Sequence, residues 1–299
     1  MQACGGWLGI KFSDESGFME IIRIDSSLTA FIRPKEGANV GLIHTPQGMI
    51  LIDTTSSPAE IRGLLEAVGA SIDEVRLVIN THSHSDHTWG NQLFSCPILA
   101  HRLCQRLMKS ALKKFWSPAA LQANLAELER TDPKKAQEFR QVLEDLHITL
   151  PDQVFEDRLE GELGGVRYEL IHMGGHTPDS SIVWLPEKRI LYAADLIFQG
   201  RYPYIFDADI PAWISALDRL VQFEANTIIP GHGVLCGAAE IGVLRFYLQQ
   251  SWELTREHIQ QEHSLKMTVK DPAFPVFPGE KYERLHQANL RYMYRKLAK

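Results

Sequence analysis

The sequence predicts an α/β fold, and three observations carry that reading. Short apolar segments rich in β-branched residues recur between turn signals, as strands do. Ser-Pro and Asp-Pro pairs at Ser57-Pro58, Ser117-Pro118 and Asp132-Pro133 have the form of helix starts. Between Gly90 and Gly161 there is no glycine, and apolar residues in that stretch fall at helical spacing.

Taken in order, EIIRID (20–25), LTAFIRP (28–34), VGLIHT (40–45) and GMILID (48–53) read as strands, with Pro46-Gln47-Gly48 turning the chain between two of them. Ser57 caps a helix that runs to about Gly69, its buried face marked by Ile61, Leu64, Leu65 and Val68. VRLVINT (75–81) is a nearly continuous apolar run, as expected of a strand covered on both faces. Residues 101–147 read as a helical insertion, on the spacing of Leu121/Leu125/Leu128 and Phe139/Val142/Leu143/Leu146. Strands follow at 166–172, 181–185 and 189–194, then a helix at 210–223 and the strand NTIIP at 226–230. From about 237 the chain reads as a helical extension, interrupted by DPAFPVFPG (271–279). No repeat or linker divides it, so one domain over 1–299 is expected.

A hydrophobic content of 44% with 23% charged residues describes an ordinary soluble globular protein. The net charge of −6 argues against nucleic acid as a partner, because phosphate backbones are held by clustered Lys and Arg. The basic RYMYRKLAK at the end reads as a solvated helix terminus. Cys4, Cys96, Cys104 and Cys236 show neither CxxC spacing nor disulfide density. MQACGG lacks the apolar run of a leader, and no segment approaches the roughly 18–20 apolar residues of a membrane span. A cytoplasmic location without membrane attachment is therefore expected.

The chemistry concentrates in THSHSDH. His82, His84, Asp86 and His87 stand directly after the apolar run, and imidazole and carboxylate are ligands for zinc and similar divalent ions. On extended backbone, residues i and i+2 project to one side, so His82 and His84 can grip one ion while Asp86 and His87, where a helix begins, serve a second. A polar turn would explain a lone HxH but not HxHxDH after a strand. Three more ligand candidates follow short apolar runs: His176 in HMGGHTPDS, Asp195 at the end of RILYAAD, and His232 in NTIIPGHG. Glycine beside the two histidines permits close backbone approach.

Together with Asp53 in LIDTT, these motifs resemble the metallo-β-lactamase fold hydrolases, which include glyoxalase II, lactonases and nucleases, in order over roughly residues 40–235. The resemblance implies an αββα sandwich of two mixed sheets flanked by helices, with two divalent metal ions at one edge. It places His82, His84 and His176 on one ion, Asp86, His87 and His232 on the other, and Asp195 between them. The complete set favours zinc, with iron or manganese also compatible. GHTPDSSIVWLPEKRILYAADLIF is similar to one class of zinc β-lactamases, which carry cysteine at the place of Asp195 and a carboxylate-binding lysine at the place of Phe198. Asp at 195 and Phe at 198 are instead similar to glyoxalase II, as is His172 before His176.

The implied reaction is attack by a metal-bridging hydroxide on a small carbonyl ester, lactone or thioester, with Asp86 shuttling a proton. Asp53 either orients a ligand or caps a strand-to-helix turn. In QGRYPYIFDADIP (199–211), Arg201 is a candidate for an anionic group, and Tyr202, Tyr204 and Phe206 either line a pocket or pack the loop. Trp89 and Phe198 are further substrate candidates and His172 a supporting one. The 101–147 insertion and the 271–279 segment either roof the pocket or form a homodimer interface. The other histidines, His44, His101, His147, His258, His263 and His286, lack such context. Phosphodiester cleavage, weak β-lactamase activity and a non-catalytic scaffold are the alternatives to a hydrolase of small carbonyl substrates.

Overall fold

Side-chain parity along the strands decides the layering. The computed structural model describes residues 8–14, 17–34, 37–277 and 283–298. Strands β1 (Leu8–Asp14), β2 (Gly17–Asp25), β3 (Leu28–Ile32), β4 (Val40–Thr45) and β5 (Gly48–Ile52) form an antiparallel meander. Helix α1 (Pro58–Ala67) crosses back to β6 (Val75–Asn80), which joins β5 in parallel. The single-turn helix α2 (Ser85–Thr88) precedes β7 (Ile98–His101). Helices α3 (Arg102–Leu112), α4 (Pro118–Thr131) and α5 (Pro133–Glu144) then lead to β8 (Gln153–Phe155), and β7 and β8 extend the sheet in parallel to eight strands.

The second sheet has five strands. It comprises β9 (Arg158–Leu163), β10 (Val166–His172), β11 (Ser181–Leu185) and β12 (Ile190–Phe198), all antiparallel, and β13 (Thr227–His232), parallel to β12 and reached through α6 (Ile210–Val221). Helices α7 (Ala239–Gln260), α8 (Leu265–Thr268) and α9 (Glu283–Leu297) follow.

On β5, Ile50 and Ile52 enter the core between the sheets, packing with Leu170, Val183 and Tyr192 of the second sheet. Their neighbours Met49 and Leu51 face the other way, against Ile61, Leu64 and Leu65 of α1. The second sheet repeats the device, with Leu191 and Ala193 turned outward onto Trp213, Leu217 and Leu244 of α6 and α7. Both faces being covered is why these strands read as unbroken apolar runs. The result is two mixed sheets flanked by helices, the αββα sandwich expected above. Ser57 caps α1 through Glu60 N, Ser117 caps α4 and Asp132 caps α5, so the helix-start signals act as read. Among the described residues no helix is long and apolar enough to cross a membrane.

Four strands escaped the sequence reading. β1, β8 and β9 are sheet edges, where the RLEGEL of β9 carries charge against strand pairing, and β7 is a four-residue run that merges into the insertion. The strand expected at 189–194 also runs on to Phe198, so Asp195 lies inside β12 rather than at its end. In the outer part of the insertion α4 buries only Leu125 and α5 only Ala136, and these two helices pair mainly with each other.

His101 joins β7 to α3. Its Nδ1 accepts from Leu103 N at 3.3 Å, and its ring stacks on His172 at 3.8 Å and 1°. Burial, with His172 adding, pushes its pKa from 6.5 down to about 4. The unfolded chain therefore takes up this proton first, so the contribution is complete above the unfolded value and is lost as pH falls towards 4. Between pH 7 and 4.5 the melting temperature of the wild type should fall more than that of His101→Asn, which keeps a capping side chain without the titrating ring. Parallel decreases in a thermal melt series would show that His101 does not carry this acid sensitivity.

Candidate metal centre

Each ligand candidate is delivered by a change in backbone path at the end of, or within, a strand. After β6 the chain bends through Thr81, His82 and Ser83 to His84 (φ −65°, ψ 149°), which stands at the N-cap of α2, and the turn of α2 then carries Asp86 and His87. His176 lies in the loop after β10, and His232 is the last residue of β13. Asp195 follows Ala194, whose φ of 47° is left-handed in a residue with a Cβ. Register shifts in the β12–β13 pairing flank that residue, so local strain re-aims Asp195 within the strand. Gly231 answers the same crowding, since a Cβ there would stand 1.9 Å from Asp195 Oδ1.

The structure brings all seven residues together in two groups, His82/His84/His176/Asp195 and Asp86/His87/His232. Within each group the donor atoms lie within 4.8 Å of one another. Asp195 sits between the groups: Oδ1 is 3.1 Å from His87 Nε2, and Oδ2 is 3.4 Å from His176 Nε2 and 3.3 Å from His232 Nε2. Asp86 Oδ2 lies 3.4 Å from His232 Nε2 and 3.8 Å from His87 Nε2.

The far side of four rings is tied to the protein. Asp53 Oδ2 meets His87 Nδ1 at 2.8 Å, and Thr81 Oγ1 meets His82 Nδ1 at 3.2 Å. Asp207 Oδ2 meets His84 Nε2 at 3.1 Å, and the Gly37 carbonyl meets His232 Nδ1 at 2.9 Å. Such contacts select the tautomer and point the opposite nitrogen inward. Asp53 is therefore placed against a ligand candidate, while Ser57 performs the helix capping. Asp207 was not read from the sequence. It belongs to a loop with no ligand motif, and only the chain's return to His84 exposes it.

These side chains suit cations better than they suit one another. Nε2 of His82 is buried there without a hydrogen-bond partner, and Nε2 of His87 and Oδ1 of Asp195, although 3.1 Å apart, are buried without an aligned hydrogen bond, an arrangement costly to leave uncompensated. Nδ1 of His176 is unpartnered too, on the side away from the cluster. Burial holds His82 well below its ordinary pKa and takes His176 to about 3, so both present neutral lone pairs. For His87 burial opposes the charged form, but the carboxylates of Asp195, Asp53 and Asp86 outweigh it and raise the pKa well above normal. Burial likewise opposes ionisation of Asp195, and His232 and His87 reverse the sign, holding it well below the carboxylate range. Nitrogen and carboxylate donors of this kind fit borderline divalent cations.

Four of the seven, His84, Asp86, Asp195 and His232, line a cavity of about 880 Å³. Arg201, Tyr204 and Phe198 line it with Tyr202, and Phe198 stacks on His232 at 5.0 Å and 11°. The expected role of Trp89 is corrected: its indole is buried against Trp116 and Phe139 of the insertion, because the turn after α2 directs it away from the cavity. His172 touches none of the ligand candidates. Its Nε2 meets the Pro178 carbonyl at 2.8 Å, bracing the loop that carries His176. Segment 271–279 does not roof the cavity as far as it is described. Phe274 and Phe277 are buried, and Phe277 packs behind Tyr202; Pro278 and Gly279 lie outside the described residues. The insertion does contribute, through Leu107, Ala111, Phe115 and Trp116.

A family model of the metallo-beta-lactamase superfamily matches residues 33–232. The linear primary-alkylsulfatase of Pseudomonas sp. (strain ATCC 19151) is 22% identical over 274 residues, 82% of this chain and 49% of that protein. The beta-lactamase-like protein 2 homolog of Caenorhabditis elegans is 26% identical over 200 residues, covering 66% and 56%. The acyl-coenzyme A thioesterase MBLAC2 of Homo sapiens is 25% identical over 223 residues, covering 68% and 76%. The chain thus spans about half the length of the first two relatives. Among solved structures, the sec-alkylsulfatase Pisa1 from Pseudomonas sp. superposes with a TM-score of 0.71 at 18% identity, over 92% of this chain and 50% of that one. A metallo-beta-lactamase from Pontibacter korlensis gives 0.60 at 22%, over 77% and 99%.

Removing an orienting carboxylate should loosen the centre without emptying it of ligand candidates. Asp53→Asn is expected to lower divalent-metal affinity about 10–100-fold and Asp207→Asn about 10-fold, read by competition with a chromogenic chelator. Unchanged affinity in both variants would show that these contacts do not orient the histidines.

Proposed function

The chain belongs to the metallo-beta-lactamase superfamily, whose members are hydrolases, and on that premise we propose that it cleaves a small carbonyl ester, lactone or thioester at a pair of divalent ions, most simply zinc. The observation that carries the reading is the convergence of His82, His84, Asp86, His87, His176, Asp195 and His232 in two adjoining groups, of which His84, Asp86, Asp195 and His232 line one cavity under a largely apolar wall. Bound there, such ions supply a water deprotonated near neutral pH and a polarised substrate oxygen.

The protein's own groups account for the remainder. His82, His84 and His176 would hold one ion, Asp86, His87 and His232 the other, and Asp195, placed between the groups, would contact both. Asp86 lines the cavity and is the candidate to receive the proton of the attacking water and deliver it to the leaving alkoxide or thiolate as the C–O or C–S bond breaks. Tyr204 stands 5.6 Å from the His84 ring and Phe198 lies against His232, so both border the reacting centre. Arg201 is the one Lys or Arg among the described lining residues, which suits a substrate with a single anionic group better than a nucleic-acid backbone. Unpaired Cys96, Cys104 and Cys236 support a reducing compartment such as the cytoplasm.

A second reading, hydrolysis of an alkyl sulfate ester, is favoured by the similarity to the two alkylsulfatases and by the apolar wall. Side-by-side assays of acyl thioesters, aryl esters, lactones, primary alkyl sulfates and bis-p-nitrophenyl phosphate separate the readings. Carbonyl substrates should be turned over most efficiently, and His84→Ala and Asp195→Ala should each lower kcat/KM by at least about 100-fold, alongside lost metal. His147→Ala should change neither. A higher kcat/KM for sulfates or phosphodiesters would reverse the ranking, and full turnover by metal-stripped protein would overturn the reaction itself.

A further inference from the structure

Helix α3 presents two apolar pairs, each spaced i, i+4, to different surroundings. Cys104 and Met108 are buried in a small cluster with Ala100, onto which Trp116, Ile148 and Leu150 pack. Leu107 and Ala111 instead line the cavity. Residues four apart lie one above the other on a helix, so this pair forms an apolar strip about 6 Å long. Phe115 and Trp116 prolong it beyond the end of α3, Phe115 being 71% exposed at the rim. Leu285 of α9 lines the same cavity, and Phe198 continues the apolar surface to His232 at the centre.

We propose that this strip seats an unbranched alkyl or acyl chain of the substrate, running from the metal centre towards Phe115, and that α3 sets the chain length accepted. The inference deepens the reading of the centre as a hydrolase and rests on it for the reaction, while the seat itself can be tested without turnover. Polarity is unevenly spread over the cavity lining. Ser83 and Ser85 flank His84 in the chain and Asp207 bonds it, Thr177 and Arg201 are further polar members, and α3 contributes only the carbon side chains of Leu107 and Ala111. A volume of about 880 Å³ lies in the upper part of the roughly 300–1,000 Å³ usual for small-molecule sites, more than a reacting group alone requires. The order of polar head and apolar wall matches a substrate with one reactive end and a tail that the wall removes from water. Each methylene seated should strengthen binding up to about fourfold, equivalent to about 0.8 kcal/mol.

The test pairs binding with kinetics on metal-loaded protein. Titration calorimetry with straight-chain carboxylic acids from butanoate to dodecanoate should show affinity rising about two- to fourfold per methylene and then levelling. Ala111→Trp and, from a different helix, Leu285→Trp should bring the plateau to shorter chains. Each should lower the ratio of kcat/KM for p-nitrophenyl dodecanoate over acetate by about 10-fold or more, with folding checked by near-ultraviolet circular dichroism. Should one variant fail to fold, the other and the wild-type series decide. Affinity independent of chain length, or a rise that no folded variant interrupts, overturns the chain seat and leaves the hydrolase reading standing. Length-dependent binding with no ester hydrolysed at any length retains the seat and removes the reaction.

Discussion

The buried carboxylate of Asp53 is the interaction on which the rest of the centre depends. Its Oδ1 accepts from Thr81 N at 2.8 Å, and its Oδ2 faces Thr81 Oγ1 at 2.8 Å, His87 Nδ1 at 2.8 Å and Tyr192 OH at 3.2 Å. Asp53 follows β5, Thr81 follows β6, and Tyr192 comes from β12, so one side chain joins both sheets to the ligand loop. A carboxylate removed from water is expensive unless its hydrogen-bonding capacity is met, and breaking such a buried pair typically costs about 3–5 kcal/mol. The backbone of Asp53 shares the constraint, since its φ of 63° is left-handed and directs the chain away from the sheet after β5.

Around that anchor the loops are fastened by backbone bonds that do not depend on any ion. Ser181 N donates to the Thr81 carbonyl at 3.0 Å, Asn39 N to the Gly231 carbonyl at 2.8 Å, and Gln199 N to the His232 carbonyl at 2.9 Å. Behind the α2 turn, Asn80 and Asn91 exchange amide hydrogen bonds, and both Asn80 Nδ2 and Thr54 Oγ1 donate to the His87 carbonyl. A rigid rear wall permits unpartnered atoms at the front: His82 Nε2 and Asp195 Oδ1 stay in place because their neighbours cannot collapse onto them.

The helical insertion divides its labour along one helix. The pair Cys104/Met108 secures α3 to the body while Leu107/Ala111 meets the cavity, so the element that walls the site is also held by a packed core. The hairpin of α4 and α5 lies farther out, with few buried residues and little contact beyond its own partner. If α3 sets specificity as proposed, it can change with the insertion while the loops that carry the ligand candidates remain as they are.

Much of the fold and of the ligand set is legible in the sequence, for a physical reason. Strands covered on both faces are mostly apolar, so Val75–Asn80 and Ile190–Phe198 announce themselves, and His, Asp and Glu are common cation ligands, so THSHSDH, His176, Asp195 and His232 stand out against apolar surroundings. Edge strands such as β9 were hidden because exposed pairing favours charge over apolar alternation. What only the tertiary structure decided is which distant groups meet: that Asp207 bonds His84, that Tyr192 reaches Asp53, that Trp89 packs under the insertion, and that α3 faces the cavity. Those pairings depend on the relative placement of loops and helices across two sheets, which local residue chemistry does not encode. Sequence alone determined the kinds of atoms available for binding cations, and the fold decided their orientation and what surrounds them.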